Sequence, residues 1–217
     1  MPKVRSVMRA KAPATMAIIG TIVFVYLLQI LVGGEVVQAL ALSPSLIDAG
    51  EWWRLLTPIL VHGGALHLFL NMYILFIYGP NVEEAFGTVR FVAMFLIAGF
   101  MGSAFSYAFP PDNASVGASG AIFGVVGILV VYLYRRRRTS FMAQYLRGMG
   151  FFIVANLVFG FIFPGIDNFA HIGGLVGGAL LGLGFDRGTG AEARSPLPLQ
   201  IATAVGVTAL GAALVLL

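Results

Sequence analysis

The sequence predicts an all-α polytopic membrane protein, and three observations carry that prediction. Only 10% of the 217 residues are charged and 59% are apolar, with a mean hydropathy of +0.94. A soluble domain carries roughly 25% charged residues to cover its surface. Seven apolar stretches approach the length that a helix needs to cross the hydrocarbon core, about 20 residues. The cations gather at alternate ends of those stretches. This composition excludes a soluble globular domain and a disordered chain. The absence of cysteine excludes a disulfide scaffold. A pI near 9.7 suggests nucleic acid, but 13 Lys and Arg produce it, and their placement carries the information.

Residues 1–13 form a basic leader with Lys3, Arg5, Arg9 and Lys11. The first span covers 14–33. Its apolar run, Ala14 to Val32, is 19 residues long, and a signal-peptide core is roughly 7–15. It therefore reads as a retained span, although Ala39-Leu40-Ala41 has the form of a cleavage site. The loop up to Val61 holds Val36, Val37, Leu40, Leu42, Leu46 and Ile47 and the pair Trp52-Trp53. Tryptophan prefers the membrane interface, so this loop is expected to lie partly in the bilayer surface. Further spans are expected at 62–82, 90–109, 119–134, 148–164 and 168–185, the fourth and sixth being short and glycine-rich. Short turns, Pro110–Ala118 and Pro164–Asp167, join them on the same side as the long loop. Residues 186–196 read as a cytoplasmic linker and 197–217 as an additional C-terminal span.

Basic residues mark the cytoplasmic ends of spans. The leader, Arg90, the run Arg135 to Arg138, and Arg187 with Arg194 all fall on one side if the spans alternate. Arg54 is the only cation opposite. The N-terminus is therefore expected in the cytoplasm, and the arginine run reads as a membrane anchor rather than a nucleic-acid patch.

Polar side chains are costly in hydrocarbon and ask for a reason. His67 and Asn71 lie in the second span, Ser119 heads the fourth and His171 sits in the sixth. His67 is 16 residues from Glu83, Ser119 is 16 from Arg135 and His171 is 15 from Asp186. At 1.5 Å per residue this places all three about 22–24 Å from the cytoplasmic edge. Asn71 is one turn beneath His67 on the same face. Gly120, Gly124 and Gly127 make one flat stripe, and Gly174, Gly178 and Gly182 make another that shares a face with His171. Small residues at this spacing let helix backbones approach closely. Packing the two stripes together would bring Ser119 and His171 into contact, with Phe123 one turn below and able to stack on the imidazole.

That constellation suggests nucleophilic catalysis. A serine hydroxyl needs a base, and His171 can serve. A tetrahedral intermediate needs donors. The unpaired N–H groups at a helix start, the Asn71 amide and the His67 ring N–H can supply them. Asp167 precedes His171 by four residues, which permits a triad. Asp167 and Asn168 read better as helix caps, so a Ser-His dyad is preferred.

The segments WRLLTPILVHGGALHLFLNM (53–72), GASGAIFG (117–124) and AHIGGLVGG (170–178) resemble the rhomboid family of intramembrane serine proteases. They match its tryptophan-arginine loop with an H-x4-H-x3-N helix, its GxSG nucleophile motif, and its histidine followed by a GxxxG-type stripe. The resemblance covers about 14–185 and implies a six-helix core around a water-filled cavity open to the outer side. The last span matches the variant with a seventh helix. It implies Ser119 as nucleophile, within a motif begun by Gly117, and His171 as base. Asn71, His67 and the Ser119 amide would form the oxyanion hole. Trp53 and Arg54 would be structural, and Phe123 stands where many members have tyrosine. It implies cleavage of another protein's transmembrane helix near its outer end. The short extramembrane segments suggest a prokaryotic plasma membrane.

Each polar residue also has a structural reading. Alone, Asn71 could be interhelical glue, His67 a structural cavity residue, Ser119 a helix cap and His171 a core histidine. His62 reads as structural and at the loop interface, facing about 140° away from His67 if both are on one helix. Glu83 and Glu84 read as the solvated end of the second span. A small transporter fits intramembrane His and Asn, but there is no inverted repeat or buried carboxylate pair. A metal site lacks HExxH or cysteine ligands. A catalytically inactive rhomboid-like protein that binds transmembrane helices is the remaining alternative. No cofactor, metal or nucleic acid is expected; the expected partners are transmembrane substrates and the lipid bilayer.

Overall fold

The computed structural model describes residues 12–111, 114–137, 140–186 and 195–216. The basic leader, Arg138, Arg187 and Arg194 lie outside them, as does most of the 186–196 stretch. The apolar stretches are helices: α1 Pro13–Val32, α4 Ala65–Phe86, α5 Thr88–Ala108, α6 Ser119–Arg135, α7 Ser140–Ile162, α8 Asn168–Phe185 and α9 Leu197–Leu216. Two short helices, α2 Glu35–Leu40 and α3 Pro44–Asp48, and the 3-10 turns Trp52–Leu55 and Thr57–Leu60 fill the long first loop. All long helices except α6 have the length and hydropathy to cross a membrane. The polytopic all-α fold expected from composition is the fold observed.

Two helix starts differ from expectation. α7 begins at Ser140 rather than 148. An apolar window stops at Arg147, whereas a helix at the interface continues past a charge that reaches water. α4 begins at Ala65 rather than 62, because Gly64 takes φ +154° and interrupts the helix. His62 is thereby in the loop, not on the helix.

Glycine sets the core. α6 and α8 lie in close contact at the centre, with α5 across both. A Cβ on Gly174 would sit 1.9 Å from the Gly120 carbonyl oxygen, and one on Gly178 would sit 2.0 Å from that of Gly124. Gly182 continues the stripe against Ile128 and Val131. The other edge of α8, Gly173 and Gly177, lies on Met101 of α5. Of α7 only Met149 and Gly160 are buried, so this helix is peripheral. α9 packs on α5 and α8 through Gly211 over Phe100 and Thr203 against Gly184.

Glu83 overturns its reading as a solvated helix end, while Glu84 is exposed. Glu83 is 3% exposed. Its carboxylate accepts from the Ala14 and Thr15 amides and from the hydroxyls of Thr15 and Thr88, all within 3.0 Å. It caps the N-terminus of α1, where backbone N–H groups lack helical acceptors and the dipole favours an anion. Glu83→Ala is expected to destabilise the protein by about 3 kcal/mol or more, because several buried donors lose their acceptor. Thermal unfolding in detergent would show this, with Glu83→Gln intermediate.

Candidate active site

The turn before α6 is shaped by glycine. Gly117 has φ +119°, a conformation that side chains resist. A Cβ there would also meet His67 Nε2 at 2.8 Å. Leu42 and Ser115 exchange backbone hydrogen bonds, and the Gly117 N–H donates to the Pro58 carbonyl at 2.9 Å. The first loop therefore carries this turn. Ser119 is the first helical residue and is partly exposed. Ala118 occupies the cap position, with no side-chain cap bond. The serine hydroxyl does not cap the helix.

It meets His171 instead. His171 Nε2 and Ser119 Oγ are 2.8 Å apart. The Phe123 ring lies on the imidazole with centroids 4.3 Å apart and planes 7° from parallel, which fixes the ring plane. The Phe152 ring of α7 lies 6.1 Å from that of Phe123, centroid to centroid. His171 is 8% exposed. Its Nδ1 finds no hydrogen-bond partner among the described residues. Asp167 is committed elsewhere: its carboxylate caps α8 by accepting from the Ala170 amide at 2.9 Å and accepts from the Ser106 hydroxyl. Asn168 donates to the Leu157 carbonyl at 2.9 Å, joining the end of α7 to the start of α8.

α4 contributes the other polar groups. His67 Nδ1 accepts from the Gly63 N–H at 3.3 Å. A neutral imidazole accepting at Nδ1 carries its proton on Nε2, the nitrogen that lies over Gly117. Asn71 is 6% exposed, and its Nδ2 donates to the His67 carbonyl at 2.9 Å. A carboxamide nitrogen has two N–H groups, so one remains.

Trp53 and Arg54 stand apart from this centre. Arg54 is buried; its guanidinium pairs with Glu51 at 2.7 Å and donates to the Ala41 carbonyl at 2.7 Å. Trp53 is half exposed and reaches the Ala39 carbonyl at 3.3 Å. Both fasten the turn Trp52–Leu55 to the C-terminal end of α2.

The reading of His62 as a residue facing away from His67 needs correction. The two rings are 5.1 Å apart. His62 is 2% exposed, and its Nε2 accepts from the Ala118 N–H at 3.4 Å. The signal was present in Gly63-Gly64, which breaks a helix before it can start at 62. Gln29, a polar residue at the end of the first span, also went unused. It makes two hydrogen bonds to the His62 backbone.

A rhomboid-domain family model matches residues 49–187, a stretch that contains His62, His67, Asn71, Ser119 and His171 but not Gln29. Rhomboid protease GluP of Bacillus subtilis (strain 168) is 45% identical over 166 residues, 75% of this chain and 32% of that protein. RHOMBOID-like protein 6, mitochondrial, of Arabidopsis thaliana is 41% identical over 138 residues, 63% of this chain and 44% of that protein. Putative rhomboid protease YdcA of Bacillus subtilis (strain 168) is 37% identical over 134 residues, 61% of this chain and 66% of that protein. The matched stretch thus spans about a third to two thirds of these relatives. The matched domain fills well over half of the sequence, and the relatives agree with it: the chain belongs to the rhomboid family.

Proposed function

We propose that this chain is an intramembrane serine endopeptidase that cuts a transmembrane helix of another protein near its outer end. The 2.8 Å contact between Ser119 Oγ and His171 Nε2 carries the reading. In the reaction, His171 takes the Ser119 proton as Oγ attacks the peptide carbonyl. The oxyanion receives N–H groups from the Ser119 backbone, the free Asn71 amide hydrogen and His67 Nε2. His171 then protonates the leaving amine, and water hydrolyses the acyl-enzyme by the reverse roles. The dyad needs no acid, consistent with Asp167 being occupied by Ala170 and Ser106. Trp53, Arg54 and Gly117 shape the loop and turn around the serine. Gly120, Gly124, Gly174 and Gly178 hold the two catalytic helices together.

Residues 14–185 would be the catalytic core, 186–196 a cytoplasmic linker and 197–217 an additional helix. The arginines at the ends of α5 and α6 support a cytoplasmic N-terminus and a site opening outward; the membrane we propose is a prokaryotic plasma membrane. A serine-directed fluorophosphonate should label the purified protein in detergent. A folded protein that neither labels nor cleaves reporter helices would instead support an inactive helix-binding member.

Asn71→Ala is expected to slow cleavage by about 10- to 1000-fold by removing one oxyanion donor. Single-turnover kinetics on a reporter transmembrane segment would measure it, and a wild-type rate would remove Asn71 from the oxyanion hole.

A further inference from the structure

We infer that His62 and Gln29 form a positioning pair that holds the turn before Ser119, so that the serine's own N–H is the first one free to meet an oxyanion. This rests on the protease reading of the site and adds two residues to it.

Three consecutive amide groups make the case. The N–H of Gly117 is taken by the Pro58 carbonyl at 2.9 Å. The N–H of Ala118 is taken by His62 Nε2 at 3.4 Å. Both acceptors belong to the last residues before α4, Pro58 at the end of the first loop and His62 just after it. The next N–H, that of Ser119, stands at the head of α6, before any helical acceptor exists for it. Securing the two preceding amides fixes the peptide planes that lead into the serine. A displacement of about 1 Å at such a site can cost 100-fold in rate.

His62 is itself secured. Its N–H donates to Gln29 Oε1 and its carbonyl accepts from Gln29 Nε2, each at 2.9 Å. One carboxamide on α1 thus grips both sides of one loop residue. The imidazole is buried and packs beside His67. α1 otherwise buries only Ala14, Thr15 and Ile22, so this grip at its far end is a specific tie to the site.

The acceptor function requires a neutral ring with its proton on Nδ1. The surroundings favour the neutral form. Burial, with the neighbouring His67 imidazole adding to it, holds the His62 pKa down at about 4 against the opposing pull of the Leu60 carbonyl. His67 is the titratable group facing it; α1 presents the neutral Gln29 and the α6 turn presents an N–H. Protonation as pH falls toward 4 would replace the acceptor with a second donor and release Ala118.

The test uses the full chain in detergent with a reporter transmembrane substrate. His62→Leu should lower kcat by about 10- to 100-fold with KM unchanged. His62→Gln, which offers an oxygen where Nε2 lies, should restore most of that loss. It should also shift the acid limb of the kcat profile. Gln29→Leu should lower kcat in the same sense as His62→Leu. The 15N spectrum of His62 in the wild type should show the Nδ1–H tautomer, and His62→Leu should move the Ala118 amide resonance. Wild-type kcat in His62→Leu, a Gln variant as impaired as the Leu variant, or an Nε2–H tautomer would overturn the proposal. If wild type and Ser119→Ala are equally inactive, the protease reading fails, and the tautomer and Ala118 measurements still decide the positioning pair.

Discussion

Replacing Ser119 with alanine is expected to abolish peptide-bond cleavage and fluorophosphonate labelling while leaving the helical bundle intact. The oxygen is the only atom lost, and its one partner among the described residues is His171 Nε2 at 2.8 Å. Ser119 caps no helix, so α6 loses nothing by the change. His171→Ala should produce the same phenotype, because an alcohol at neutral pH is a poor nucleophile without a base. Each single variant should fall by about 10^4-fold or more, and the double variant should be little worse, since members of one proton-transfer unit are not additive. Phe123 offers an internal comparison. Its ring meets the imidazole 4.3 Å away, centroid to centroid, so Phe123→Leu should reduce cleavage partially and Phe123→Tyr should retain it. The measurement is cleavage of a reporter helix, with thermal unfolding run beside it. Turnover surviving in either Ser119→Ala or His171→Ala would remove that residue from the chemistry.

The parts of this site that were legible in the sequence are those set by helix periodicity. Ser119, His171 and the glycines beside them lie on regular helices, where 1.5 Å per residue and the i, i+3, i+4 rule fix depth and facing. The same arithmetic placed Phe123 under the serine. What was not legible lies where the helix ends. His62 was assigned to a helix that Gly64 does not allow to begin, and its ring therefore points toward His67 instead of away. Glu83 was assigned to water because a carboxylate at a span end usually is. Its four donors come from Ala14, Thr15 and Thr88, two of them nearly 70 residues away in sequence. No local pattern reports such a partner. The short helices α2 and α3 were missed for another reason: at 6 and 5 residues, α2 is held at its end by bonds from Trp53 and Arg54 and α3 by the buried Ile47, not by their own periodicity.

Gly174→Ala is the substitution expected to do the most damage for the least chemistry. Adding one methyl group there puts carbon 1.9 Å from the Gly120 carbonyl oxygen and 2.7 Å from its carbonyl carbon. These are backbone atoms of a helix, so no rotamer relieves the contact. α8 must separate from α6 by about 1 Å or more, a cost of about 3 kcal/mol for overpacking. The displacement occurs one turn from His171, which is carried on the same face of α8. The 2.8 Å contact with Ser119 would lengthen with it, and cleavage should fall by about 100-fold even in molecules that remain folded. Gly178→Ala should resemble it, its Cβ falling 2.0 Å from the Gly124 oxygen. Gly120→Ala should be milder, because its nearest atom is the Ala170 oxygen at 3.2 Å. Gly150→Ala on α7 meets nothing within 4 Å and should be as active as wild type, with a slightly higher melting temperature from alanine's helix propensity. Ranking the four variants by cleavage rate and by unfolding midpoint tests the packing directly. If Gly174→Ala matched Gly150→Ala on both measures, α6 and α8 could not lie as close as the bond between Ser119 and His171 requires.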